Sequence, residues 1–139
     1  MKTIFALLVA SINTAPLGAA DQSAKALGIE VSKTHVIVKA RGRASDQTSS
    51  ETQRRSLSRD AAIATAQAHL LMWIGALESG KKTLGDLGQK DKKIKIKVKG
   101  ALSYAEILRT EWKDDGSAEV TLALAKKYLK KIRRGLKIP

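Results

Sequence analysis

The sequence predicts an α+β fold, with one long helix packed on an antiparallel sheet of about four strands and a basic C-terminal helix or tail. Three observations predict it. Apolar residues alternate with polar ones around 36–43, 94–100 and 105–125, the period of half-buried strands. Apolar residues recur at helical spacing over 51–79. Asp114-Asp115-Gly116-Ser117 is a hairpin-turn signal between the last two alternating runs, because Asp and Gly accept the backbone angles such a turn needs. One run of helix beside several strands fits a helix laid on one face of a sheet.

Residues 1–20 read as a signal peptide. Lys2 supplies a positive start, Thr3–Ile12 is an apolar stretch, and Gly18-Ala19-Ala20 places small residues where a signal peptidase cuts. The apolar stretch is well short of the roughly 20 residues a membrane span needs. Cleavage after Ala20 removes 20 of the 139 residues and Lys2, leaving 119 residues and a charge of +12. The expected destination is the periplasm or the medium, with a peripheral position at the outer membrane also compatible. Residues 21–34 have no sustained period and read as a linker.

The domain is expected over 35–125. In the first strand Val36, Val38, Ala40 and Gly42 point one way. His35, Ile37, Lys39, Arg41 and Arg43 point the other. The small residues Ala40, Gly42 and Ala44 leave room for a close neighbour. Ser50, followed by Gln53, is a helix start. The helix from about Glu51 to about Ser79 carries Leu57, Ala61, Ala64, Ala68, Leu71 and Met72 as its apolar stripe, widened by Leu70, Trp73, Ile74 and Leu77. Its alanines let the axis lie close to a sheet, and Gly80 reads as its terminator. Lys81–Lys93 reads as a long connection. A second strand then places Ile94, Ile96 and Val98 inward and Lys95, Lys97 and Lys99 outward. The hairpin strands follow, with Val120, Leu122 and Leu124 inward. Lys126–Pro139 has seven Lys/Arg and no acid. It reads as a basic amphipathic segment with Tyr128, Leu129, Ile132 and Leu136 as a partial stripe.

Composition bounds the function. The chain has 26 Lys+Arg against 13 Asp+Glu, a formal charge of +13. It has no cysteine, which excludes disulfides, thiolate metal sites, a cysteine nucleophile and N-terminal lipidation through cysteine. At 43% hydrophobic it can build a core.

The order of motifs resembles a known family. Val36-Ile37-Val38-Lys39-Ala40-Arg41-Gly42-Arg43-Ala44 leads through a serine-bearing turn to a long alanine-rich helix with Gln53-Arg54-Arg55 and Arg59-Asp60-Ala61-Ala62. Val98-Lys99-Gly100-Ala101-Leu102 follows, and then the hairpin from Trp112 to Leu122. This resembles the twenty-kilodalton bacterial lipoprotein (LPP-twenty) family, which is similar to flagellar basal-body lipoprotein P and to the N-terminal domain of flagellar assembly protein T. The resemblance spans roughly Val36–Leu124. It implies a non-enzymatic envelope protein with binding, assembly or flagellar accessory roles and no catalytic residues or cofactor to carry over. The missing cysteine separates this chain from the lipid-anchored members.

The residues themselves offer little chemistry for catalysis. Two histidines, His35 and His69, do not make a metal cluster. Asp114 and Asp115 fit a turn better than a carboxylate pair. There is no G-x-S-x-G and no glycine loop leading into a helix. The cations are the strong signal. Lys39, Arg41 and Arg43 with Lys95, Lys97 and Lys99 are expected on one open sheet face, joined by Lys126, Lys127, Lys130, Lys131, Arg133 and Arg134 of the tail. Such a face is either a solvated surface that protects sheet edges or an anion-binding surface. The expected partners are an envelope protein or a second copy, or an anionic lipid, lipopolysaccharide, acidic glycan or nucleic acid.

Overall fold

The computed structural model describes residues 24–45, 47 and 50–139. The proposed signal peptide lies outside them. The architecture is α+β. Strands β1 (Ile29–Val31), β2 (His35–Arg43), β5 (Glu106–Trp112) and β6 (Ser117–Ala125) form one antiparallel sheet in the order β1-β2-β6-β5. Helix α1 (Glu51–Gly75) packs on β2 and β6, the two central strands. A two-residue ladder joins β3 (Glu78–Ser79) to β4 (Lys82–Thr83), helices α2 (Leu84–Lys90), α3 (Lys92–Leu102) and α4 (Lys126–Lys130) follow, and a helical turn at 24–26 with Ala24 in the core precedes β1.

The alternation in β2 and β6 does what the sequence implies. Val36, Val38, Ala40, Val120, Leu122 and Leu124 are buried under α1. Ser50 caps α1, its hydroxyl accepting from the Gln53 amide at 3.1 Å. The small residues at the end of β2 admit the helix. A Cβ built on Gly42 would lie 2.2 Å from the Ala62 nitrogen, so only a glycine permits this approach. Asp114 and Asp115 form the β5–β6 turn, with Gly116 at φ +86°.

Several expectations are corrected. The residues read as a linker contain β1, an edge strand with Ile29 buried opposite Val38. Helix α1 ends at Gly75, four residues early, and Gly80 (φ +68°) serves the β3–β4 turn instead of the helix end. The buried face of α1 is Ser58, Ala62, Ala66, Leu70, Trp73 and Ile74. The stripe Leu57, Ala64, Ala68, Leu71 and Met72 faces outward. The helix carries two apolar stripes, and the one holding Leu70, Trp73 and Ile74 has more apolar surface to remove from water. The connection at 81–93 is largely helical. Thr83 caps α2 by accepting from the Asp86 amide, and Asp91 caps α3 by accepting from the Lys93 amide at 2.9 Å.

The largest correction concerns 92–102, which is helix α3 and not a strand. Ile94, Val98 and Ala101 are buried at helical spacing, while Ile96 is 67% exposed. A Lys-Ile-Lys-Ile-Lys-Val run satisfies period two and also places apolar residues at i, i+4 and i+7. The Asp91 cap and the contacts of α3 with α1 and α2 select the helix. The C-terminal segment is not a frayed tail. Leu129 and Ile132 are in the core, Leu136 bridges to Ser79, and the Lys137 amide donates to the Glu78 carbonyl at 2.9 Å.

Candidate functional site: a cationic end around two stacked tyrosines

The expected six-cation sheet face does not form. Lys39, Arg41 and Arg43 remain on the open face of β2, but Lys95, Lys97 and Lys99 belong to α3. The sheet face is also balanced by acid. Arg41 lies opposite Glu119, and Glu119 opposite Glu111. Glu111 pairs with Arg109 at 2.7 Å and with Lys113 at 3.1 Å. The Lys113 hydrogen bond first, then the charges of Arg109, Lys113 and Lys39, hold the Glu111 carboxyl below the usual range. Like charges across a sheet destabilise it; the acids offset the cations of β2, and Lys113, which also lies 4.0 Å from Glu119, offsets the Glu111–Glu119 pair.

The cations gather elsewhere. Residues 92–102 hold five lysines and no acid, and 126–139 hold seven Lys/Arg and no acid. Packing of α4 against α3 brings these two segments together. Between them the rings of Tyr104 and Tyr128 stack at 4.1 Å, with their planes within 2° of parallel. Tyr104 follows the end of α3 and Tyr128 lies in α4, so each ring comes from one of the two basic segments or its border. Lys127 Nζ sits 5.1 Å and Lys131 Nζ 5.8 Å from the Tyr128 ring centre. A ring face attracts a cation, so Tyr128 holds two ammonium groups near it without neutralising them.

The tyrosine pair separates two grooves. On one side, a groove of about 160 Å³ has Lys97, Lys131 and Ile132 on its walls. On the other, a groove of about 360 Å³ has His35, Ile37, Leu108 and Lys127, with Glu106 as its acid. The His35 ring nitrogen Nδ1 shares a 2.8 Å hydrogen bond with the Thr34 hydroxyl. Of the remaining predicted site residues, Lys126 Nζ donates to the Pro139 carbonyl at 2.6 Å. Lys130 is exposed on α4, and Arg133 and Arg134 are exposed in the turn that follows. Lys95 and Lys99 of α3 edge a different groove, walled by α1, α2 and α3, that is almost wholly apolar.

A second cleft, about 590 Å³, lies at the start of α1. Trp112 donates from its indole nitrogen to the Arg55 carbonyl at 3.2 Å, and the Arg55 guanidinium lies 5.9 Å from the Trp112 ring centre. Here Arg43, Arg54 and Lys113 meet Glu51, Asp114 and Asp115, so the cleft carries both signs. The tyrosine end has the larger excess of cations.

Sequence reasoning named the lysines but missed the tyrosines. Nothing in the spacing of Tyr104 and Tyr128 links them, since the pairing depends on α3 being a helix. Among the described residues no group of three His, Cys, Asp or Glu side chains is arranged to hold a metal ion, and no helix is long and apolar enough to cross a membrane. No family model, curated protein or solved structure matches the chain.

Proposed function

We propose that this chain is an exported, non-enzymatic binding module of the cell envelope, resembling the LPP-twenty family, that engages an anionic surface through its cationic end. One observation carries the reading. Two acid-free basic segments, 92–102 and 126–139, pack side by side with a stacked tyrosine pair between them. Folding together so many like charges is unfavourable in isolation, and an anionic partner offsets the repulsion. Lysines beside an anionic bilayer contribute about 1 kcal/mol each, and the tyrosine rings suit the headgroup level.

Co-sedimentation with vesicles tests it. The chain is expected to pellet with vesicles containing an anionic lipid at physiological salt and to stay in solution with zwitterionic ones. Lys97→Glu with Lys131→Glu is expected to abolish pelleting, while Lys39→Glu leaves it unchanged. Equal pelleting of the Lys97→Glu, Lys131→Glu chain overturns the site. Retention on immobilised heparin without any vesicle binding shifts the partner to an acidic polymer.

A further inference from the structure

Helix α1 is buried on one side only. Its outer face presents Leu57, Ala64, Ala68 and Leu71, with Ala61 half-buried beside them; the five are spaced 4, 3, 4 and 3 residues apart, which is the seam spacing of paired helices. Leu57 is 42% exposed, Leu71 43%, and the adjacent Met72 59%. From Ala61 to Leu77 there are 17 residues without a charge, in a chain that is 28% charged. A surface helix ordinarily carries charged residues on its outer face. A face kept free of them over this length is suited to another protein surface.

The stripe is symmetric about Ala64. Ala61 and Ala68 flank it, and Leu57 and Leu71 lie about 10 Å away along the axis in opposite directions. A two-fold axis through Ala64 therefore sets Leu57 of one copy against Leu71 of the other, with alanines meeting in between. The small central residues allow helix axes to approach to about 8 Å. The surface also supplies a receptor for the knob. Beside Leu71 opens a mostly apolar groove of about 260 Å³, walled by Gly75, Leu84, Gly85, Gly88 and Val98 and edged by Lys95 and Lys99. An isologous contact needs one patch that complements itself, and this one does. Because Ala61–Leu77 carries no charge, two copies of this cationic chain meet there with little repulsion from the stripe itself, which is flanked by Asp60 and by Lys95 and Lys99 at the groove's edge.

We propose that the protein forms a two-fold dimer in which α1 pairs antiparallel with α1 of a second copy, Ala64 at the axis and each Leu57 seated beside the partner's Leu71. The inference is independent of the anionic-surface reading and is tested without any ligand.

Because the chain has no cysteine, single thiols are unique reporters. Under mild oxidation Ala64→Cys is expected to cross-link to itself, and a mixture of Leu57→Cys and Leu71→Cys chains to cross-link to each other. Ala76→Cys, exposed but about 18 Å along the helix from the axis, is expected to remain uncross-linked. In sedimentation at high salt the unmodified chain is expected to be dimeric, and Ala64→Glu to weaken dimerisation at least tenfold. Ala64 is exposed, so that variant is expected to keep the circular dichroism of the unmodified chain. A chain that is monomeric at every concentration, self-cross-linking of Leu57→Cys (a parallel pair), or equal cross-linking of Ala76→Cys overturns the proposal.

Discussion

The backbone of Ala62 occupies the space a side chain on Gly42 would need, with the nitrogen of Ala62 2.2 Å from the position of an added Cβ. Two further backbone atoms, the Ala61 carbonyl carbon and the Ala62 Cα, lie within 2.7 Å of it. Backbone cannot swing aside as a side-chain tip can, so relief requires moving α1 off the sheet. Gly42→Ala is expected to destabilise by about 3 kcal/mol or more, the upper part of the overpacking range. Gly100→Ala is the opposite case. Gly100 is in α3 with nothing within 4 Å of its added Cβ, and the substitution is expected to stabilise by about 0.5–1 kcal/mol. Urea unfolding of the two variants checks both signs.

Ser58 ties three parts of the fold together at the same end. It is fully buried in α1, accepts from the Ala44 amide at 2.9 Å and donates to the Gly116 carbonyl at 2.8 Å. One hydroxyl thus serves the end of β2 and the β5–β6 turn. Ser58→Ala leaves both backbone groups without this partner and is expected to cost about 1–3 kcal/mol. Ser58→Cys is of similar size but a weaker hydrogen bonder, and is expected to recover only part of the loss. Thermal unfolding of the three chains checks the order.

The β5–β6 turn is expected to lose stability in acid. The Asp115 carboxylate accepts from the Ser117 hydroxyl at 2.6 Å and from the Ser117 amide at 2.9 Å. These bonds first, then the charges of Arg41 and Arg43, hold its carboxyl below the ordinary aspartate range. A carboxyl whose folded value is depressed stabilises the fold above its unfolded value, and that contribution disappears as pH falls through the folded value. Glu111 is depressed as well and acts in the same direction. Asp115→Asn removes the titration. The stability difference between the unmodified chain and Asp115→Asn is expected to be greatest near neutral pH and to shrink steadily below about pH 4. A difference that is constant across this range counts against the carboxylate's role.

What the sequence made legible follows from how uniquely each segment encodes one period. β2 and β6 place Val36, Val38, Val120, Leu122 and Leu124 at alternate positions, although Ile37 and Ala123 on the other face are apolar too. Ser50 and the Asp114-Asp115-Gly116 turn were readable for the same reason, since each residue has few other uses. The seating of α1 was not readable from periodicity alone, because alanine and leucine recur at helical spacing on two faces. Only the larger Leu70, Trp73 and Ile74 mark the buried one. β1 has three residues, too few for a period to show. The cationic site was half legible. Its lysines stand out by charge, but Tyr104 meets Tyr128 only because α3 brings its C-terminal end to α4.

The segment with two competing periods gives the sharpest test of the fold. A strand over 94–100 would bury Ile94, Ile96 and Val98 on one face. Helix α3 buries Ile94 and Val98 and leaves Ile96 67% exposed. Truncation therefore separates the two. Ile94→Ala is expected to cost about 2–5 kcal/mol, as for a core isoleucine. Ile96→Ala is expected to stay within about 0.5 kcal/mol of the unmodified chain, because it removes little buried surface and alanine favours helix. Chemical denaturation measures both, and amide exchange adds an independent view. The amides of Lys97 and Val98, bonded within the helix, are expected to exchange more slowly than that of Lys92 in its first turn. Equal losses for Ile94→Ala and Ile96→Ala would restore the strand. They would also remove the packing of α3 on α4 that brings Lys97 beside Tyr104, Tyr128 and Lys131, so this pair of variants tests the cationic site as well as the helix.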